Sequence, residues 1–111
     1  MRVCILLMRK PISDEDSNRI VSLIKESPRS EIAIYLLGDG VLCARKNQSG
    51  YHGALIREAM QMEADIRACA RDLRARGISE DEVQVGIEIV EDFEGAFLED
   101  ALENSGGVYS W

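Results

Sequence analysis

What this chain lacks most plainly is positive charge. Its 111 residues carry 20 Asp and Glu against 13 Lys and Arg, a formal net charge of −7. A surface of that sign repels phosphate backbones, which argues against direct binding of nucleic acid. Histidine occurs once, at position 52, and the three cysteines stand at 4, 43 and 69 without Cys-x-x-Cys spacing. That set is too sparse for a structural zinc site and does not complete a set of disulfides. Free thiols in a reducing cytosol are the expectation. No apolar run approaches the roughly 20 residues that cross a bilayer. The opening 'MRVCILLMRKPISDED' has the basic residue and short apolar stretch of a secretory signal. Its apolar part is too brief, and no small-residue cleavage site follows. It reads as a first strand, so a cytoplasmic protein with no membrane association is the expectation. Repeats, low-complexity tracts and linkers are also missing, so a single domain over 1–111 is expected.

The apolar patterning alternates between strand and helix. 'RVCILLM' (2–8) is nearly unbroken and suits a strand covered on both faces. Pro11 ends it, and Ser13 with Asp16 three residues later starts a helix that buries Ile20, Val21, Leu23 and Ile24. 'EIAIYLL' (31–37) is a second strand, broken by Gly38-Asp39-Gly40. A short helix over 41–45, a 'KNQSG' loop and a helix over 53–62 follow. 'EADIRAC' (63–69) is the third strand, leading into a helix from about Cys69 to Gly77, and Ser79 with Glu82 caps a short turn. Alternation of Val83, Val85, Ile87 and Ile89 marks a fourth strand. Phe93, Phe97, Leu98, Ala101 and Leu102 form one helical stripe, closed by Gly106-Gly107, and 'VYSW' is a fifth strand. The expected fold is a three-layer α/β/α sandwich around a mainly parallel five-stranded sheet, with right-handed crossovers.

Ligands of such sheets bind at the carboxyl ends of the strands. Cys69 ends the third strand and opens a helix, amid Arg67, Arg71, Arg74 and Arg76. A helix start and neighbouring guanidinium groups both favour thiolate, the form that attacks a disulfide or persulfide. Two readings stand side by side: a reactive thiol, with Arg67 and Arg71 nearest to it, or a small core residue beneath arginines that face water. Cys43 follows the Gly-Asp-Gly turn as a possible second thiol, with burial the simpler account. Cys4, inside the first strand, reads as a small hydrophobe. His52 is a candidate base for a thiolate, but no nucleophile motif surrounds either Cys43 or Cys69. Gly38-Asp39-Gly40 lacks the context of a nucleotide loop, and Asp39 would repel phosphate.

The stretch 'YLLGDGVLCA' resembles the second-strand signature of the DsrE/DsrF-like and Tus sulfur-relay proteins. 'CARDLRARGI' is similar to their sulfur-carrying segment, in which a strand-ending cysteine is followed eight residues later by the glycine of an Arg-Gly-aliphatic turn. Here Cys69, Arg76, Gly77 and Ile78 keep that spacing, and 'GGVYSW' is similar to the family's final strand. The resemblance implies a sulfurtransferase-type carrier rather than a turnover enzyme with a small-molecule substrate. Cys69 would accept a sulfane sulfur as a persulfide from a donor protein and pass it to an acceptor. Gly38, Asp39 and Gly40 would shape the adjacent loop. No cofactor or metal is implied, because the sulfur rides on the protein. A homotrimer or hexamer, with or without sister subunits, is the implied assembly. Some members lack the cysteine, so a non-catalytic docking subunit is the alternative; a nucleotide- or flavin-binding module of flavodoxin-like shape is a third.

Overall fold

The order of the strands explains where every helix lies. The computed structural model describes residues 2–11, 13–26, 31–103 and 107–111, the side chain of His52 excepted. Its strands are β1 (Arg2–Leu7), β2 (Glu31–Leu36), β3 (Asp65–Cys69), β4 (Ile87–Val90) and β5 (Val108–Ser110). All neighbours are parallel, in the order β4-β3-β2-β1-β5. The chain steps steadily from β1 to β4, then returns across the sheet to place β5 beside β1. Right-handed crossovers therefore put the early helices on one face and the last helix on the other.

The first face holds α1 (Asp14–Lys25) and α2 (Gly50–Gln61). Ile20 and Ile24 of α1 and Leu55, Ile56 and Ala59 of α2 join Val3, Ile5, Leu7, Ile32, Ile34 and Leu36 in one core. Ser13 caps α1 by accepting a hydrogen bond from the Asp16 N–H at 3.1 Å, and Asp14, Glu15 and Asp16 suit the positive end of the helix dipole. The second face is covered by α4 (Phe93–Glu103). Tyr35 of β2 meets Phe93 and Phe97 edge-to-face, with ring centroids 5.6 and 5.2 Å apart. Contacts of that geometry contribute about 0.5–1.5 kcal/mol each beyond simple burial. Among the described residues, no helix is long and apolar enough to cross a membrane.

Two expectations need correcting. The fourth strand begins at Ile87, not Val83. Val83 instead makes an antiparallel bridge to Arg45, and Gly86 turns the chain at φ +101°. Valines alternating with polar residues imitate a strand here, while Val85 is 78% exposed. The helical stripe of α4 is also rotated from the expected one. Phe93 and Phe97 face inward together with Asp100, whereas Leu98 and Leu102 face water. A charged side chain takes the inward position because the sheet supplies its partners. Of the glycine pair expected to close α4, Gly106 lies outside the described residues.

After β2 the chain forms a 3-10 segment, Gly38–Ala44, that crosses close to the end of β1. A Cβ at Gly40 would lie 2.0 Å from the Leu7 carbonyl oxygen, so no other residue fits without moving backbone. Gly40→Ala should destabilise the fold by about 1–3 kcal/mol, read as a lower urea midpoint. An unchanged midpoint would show that β1 and this segment can part freely.

Candidate functional site

Cys69 is the last residue of β3 and the N-cap of α3 (Ala70–Ala75), with φ −70° and ψ 115° and no hydrogen bond from its side chain to the helix. It pairs in register with Val90 of β4 and is 1% exposed. The Gly38–Ala44 segment packs against β3 and α3 at the same end of the sheet. Two contacts join loop to helix. The Gly38 N–H donates to Asp72 Oδ2 at 2.7 Å, and Arg76 donates to Asp39 Oδ1 through Nη2 at 3.0 Å and Nε at 3.2 Å. Gly38, at φ +55°, is in the left-handed region that lets its N–H turn toward Asp72. Gly38, Asp39, Gly40 and Cys69 are thus gathered at one end of the molecule.

The arginines after Cys69 are paired with carboxylates. Arg71 reaches Glu94 at 2.6 Å, and Arg74 clasps both oxygens of Glu91 at 2.9 and 2.8 Å. The bond to Glu94 and then the charge of Glu94 raise the Arg71 pKa, and the charge of Cys69 acts in the same direction. For Arg74 the bond to Glu91 leads and Cys69 is a smaller contributor. Arg74 therefore feels the thiol as Arg71 does, although the sequence reading has Arg67 and Arg71 as the nearest arginines. Asp72 was also missed; an acid in the first turn after a strand-ending cysteine was its only signal.

Arg67 is elsewhere. Its Nη1 donates to Tyr35 Oη at 2.8 Å, its Nη2 pairs with Asp65 at 3.2 Å, and its Nε lies 3.3 Å from Glu88. It belongs to a polar cluster between the sheet and α4, built around Asp100. The Tyr35 hydroxyl donates to Asp100 Oδ2. Arg2 Nε lies 2.8 Å from Asp100 Oδ1, Arg67 Nη1 lies 3.8 Å from Oδ2, and the Cys4 thiol is hydrogen-bonded to the same carboxylate. Burial, followed by the negative charge of Asp100, pushes the Cys4 thiol up. Neither Tyr35 nor Asp100 stood out in the sequence; an acid inside an apolar helical stripe was the signal available.

Cys43 is buried, and burial pushes its thiol up to about 12. It lines a cavity of about 250 Å³ with Gly53, Ile56, Arg57 and Met60 of α2, a lining that does not include Cys69. The three cysteines are free thiols. His52 lies in α2 with its side chain outside the described set. Among the described residues, no group of three or more His, Cys, Asp and Glu is arranged to hold a metal ion.

The DsrE/DsrF-like family model matches residues 1–102. The chain belongs to the DsrE/DsrF-like family. Its fold is also that of solved structures with little sequence identity. The E. coli ychN protein matches over the whole of both chains at 15% identity and a TM-score of 0.76. MTH1491 from Methanobacterium thermoautotrophicum, described as a protein of unknown function, matches over 97% of each chain at 18% identity and 0.76. BT1422 from Bacteroides thetaiotaomicron, a conserved protein of unknown function, is 21% identical over 99% of this chain and 94% of its own, with a TM-score of 0.67. No curated protein sequence matches. This DsrE/DsrF-like chain thus shares an all-parallel five-stranded fold with these proteins, and family membership suggests a place in sulfur relay.

The Asp100 cluster can be tested directly. Tyr35→Phe removes one bond to a buried carboxylate and should lower stability by about 1–3 kcal/mol in urea. Burial, then the bond to Asp100, raises the Tyr35 pKa above its ordinary value of about 10. The folded state thus holds this proton more tightly than the unfolded chain. Its contribution is intact below about pH 10 and is lost as pH rises through the folded value. Above pH 10 the urea midpoint of the wild type should accordingly fall more steeply than that of Tyr35→Phe. Parallel pH profiles would contradict this account.

Proposed function

We propose that the protein is a sulfur-relay carrier that holds a sulfane sulfur as a persulfide on Cys69. The observation that carries this reading is the position of Cys69 in a DsrE/DsrF-like chain. It stands at the carboxyl end of a central strand, capping the next helix, beside the Gly38-Asp39-Gly40 loop. In the proposed step the Cys69 sulfur, as thiolate, attacks the outer sulfur of a donor persulfide. A Cys69–S–SH bond forms, the donor S–S bond breaks, and the donor leaves as its thiol. Oxidation states are exchanged between partners, so no outside oxidant is required. Attack by an acceptor thiolate reverses the arrangement and passes the sulfur on.

Because Cys69 is 1% exposed, loading requires α3 to move away from its neighbours. The ion pairs of Arg71, Arg74 and Arg76 to Glu94, Glu91 and Asp39 lie at the surface, where such pairs contribute about 0–1 kcal/mol each. Opening this end therefore costs far less than unfolding the sheet. In this reading the carrier works in the cytoplasm as a trimer or hexamer, with donor and acceptor proteins as partners. The same burial favours a second reading, a docking subunit whose Cys69 carries no sulfur.

Intact-mass measurement after incubation with a persulfide donor separates the two. One added sulfur atom on the wild type, absent from Cys69→Ser, is the expected result. An unmodified wild type that also resists alkylation at Cys69 would overturn the carrier and leave the docking subunit.

A further inference from the structure

The C-terminal third of the chain is electrostatically one-sided. From Gly77 to Trp111 the sequence has ten Asp and Glu and no Lys, Arg or His. Helix α4 concentrates this charge and adds apolar surface to it. Opposite its inward residues Phe93, Phe97 and Asp100, helical spacing aligns Gly95, Leu98 and Leu102 on one outward stripe. Leu98 is 56% exposed and Leu102 83%. Glu94 borders the stripe on one side, Glu99 and Glu103 on the other.

These acids are not equally satisfied. Glu94 is paired with Arg71, whereas Glu99 and Glu103 have no ion-pair partner among the described residues. Both line a cleft of about 360 Å³ at the amino ends of β1 to β3. Five carboxylates (Glu31, Asp65, Glu99, Asp100 and Glu103) face two guanidinium groups there. Arg2 and Arg67 are both already bound to carboxylates. An unpaired acidic rim beside two exposed leucines invites a surface of the opposite charge.

We propose that the outward face of α4 is a docking seam for a helix of another protein, apolar along its centre and rimmed by lysine or arginine. Leu98 and Leu102, four residues apart, fit between the side chains of such a helix. The same face of a second copy is disfavoured, since a two-fold contact would set Glu against Glu. Nucleic acid and anionic membrane are repelled by the same charge. The seam goes beyond the sulfur-carrier reading and stands whether or not Cys69 carries sulfur.

The test uses the full chain and a fluorescein-labelled helical peptide of about 18 residues, long enough to hold a helix. Its leucines are spaced four apart and flanked by lysine; a control peptide carries glutamate in place of lysine. Fluorescence anisotropy should show the lysine peptide binding wild type roughly tenfold more tightly than the double variant Leu98→Ser/Leu102→Ser. Glu99→Gln/Glu103→Gln should weaken binding severalfold and flatten its salt dependence, and the glutamate peptide should not bind. Circular dichroism and the urea midpoint should be unchanged in both variants, since all four side chains point to water. Equal affinity of wild type and the leucine variant would overturn the seam, reducing it to general charge attraction. Sedimentation showing that the leucine variant dissociates a wild-type oligomer would also overturn it, assigning the face to a second copy.

Discussion

A single buried carboxylate, Asp100, ties the last helix to the sheet. The sheet face that receives α4 is polar at its amino end, where Arg2, Tyr35, Asp65 and Arg67 project toward the helix. An unpartnered charge there would cost several kcal/mol. Asp100 resolves this by accepting from Tyr35 and Cys4 while pairing with Arg2 and Arg67. With Asp100 fixed, Phe93 and Phe97 come down on the Tyr35 ring, and the remaining stripe of α4 must turn outward. The exposure of Leu98 and Leu102 is thus a consequence of burying an acid.

This arrangement divides the molecule along its strands. At the amino end, long-range charged bonds lock helix to sheet, and every member is held by partners distant in sequence. At the carboxyl end, Cys69 sits under a six-residue helix kept in place by surface ion pairs and by a loop hydrogen bond to Asp72. The amino end is built to stay closed. The carboxyl end is built from contacts that part and reform cheaply, as the proposed carrier requires. The arginines around Cys69 are used for that closure: Arg71 and Arg74 are close enough to feel the thiol, yet each has a carboxylate of its own.

Much of this was legible in the residue pattern. β1 to β3, the capped start of α1, the glycine break after β2 and the position of Cys69 all follow from local signals: apolar runs, cap residues and turn residues. Cys4 and Cys43 read as buried, and they are. What escaped were features fixed by distant partners. Val83 and Val85 imitate a strand because alternation alone cannot reveal the turn at Gly86. The rotation of α4 depends on Asp100 finding Tyr35 and Arg2, residues 65 and 98 positions away. Arg67 looked like a neighbour of Cys69 because they are two residues apart. Its guanidinium instead reaches back along β3, where Asp65 of β3 itself, Glu88 of β4 and Asp100 of α4 outbid the thiol.

The division between a closed amino end and an openable carboxyl end is tested most directly by native-state thiol labelling. Wild-type protein would be exposed to a small alkylating reagent without denaturant, and modification of each cysteine followed by peptide mass. The account predicts that Cys69 is modified through local opening, well before Cys4 and Cys43, and faster at high salt, where the surface pairs over α3 are screened. Modification of all three thiols together, at the rate of global unfolding, would contradict it.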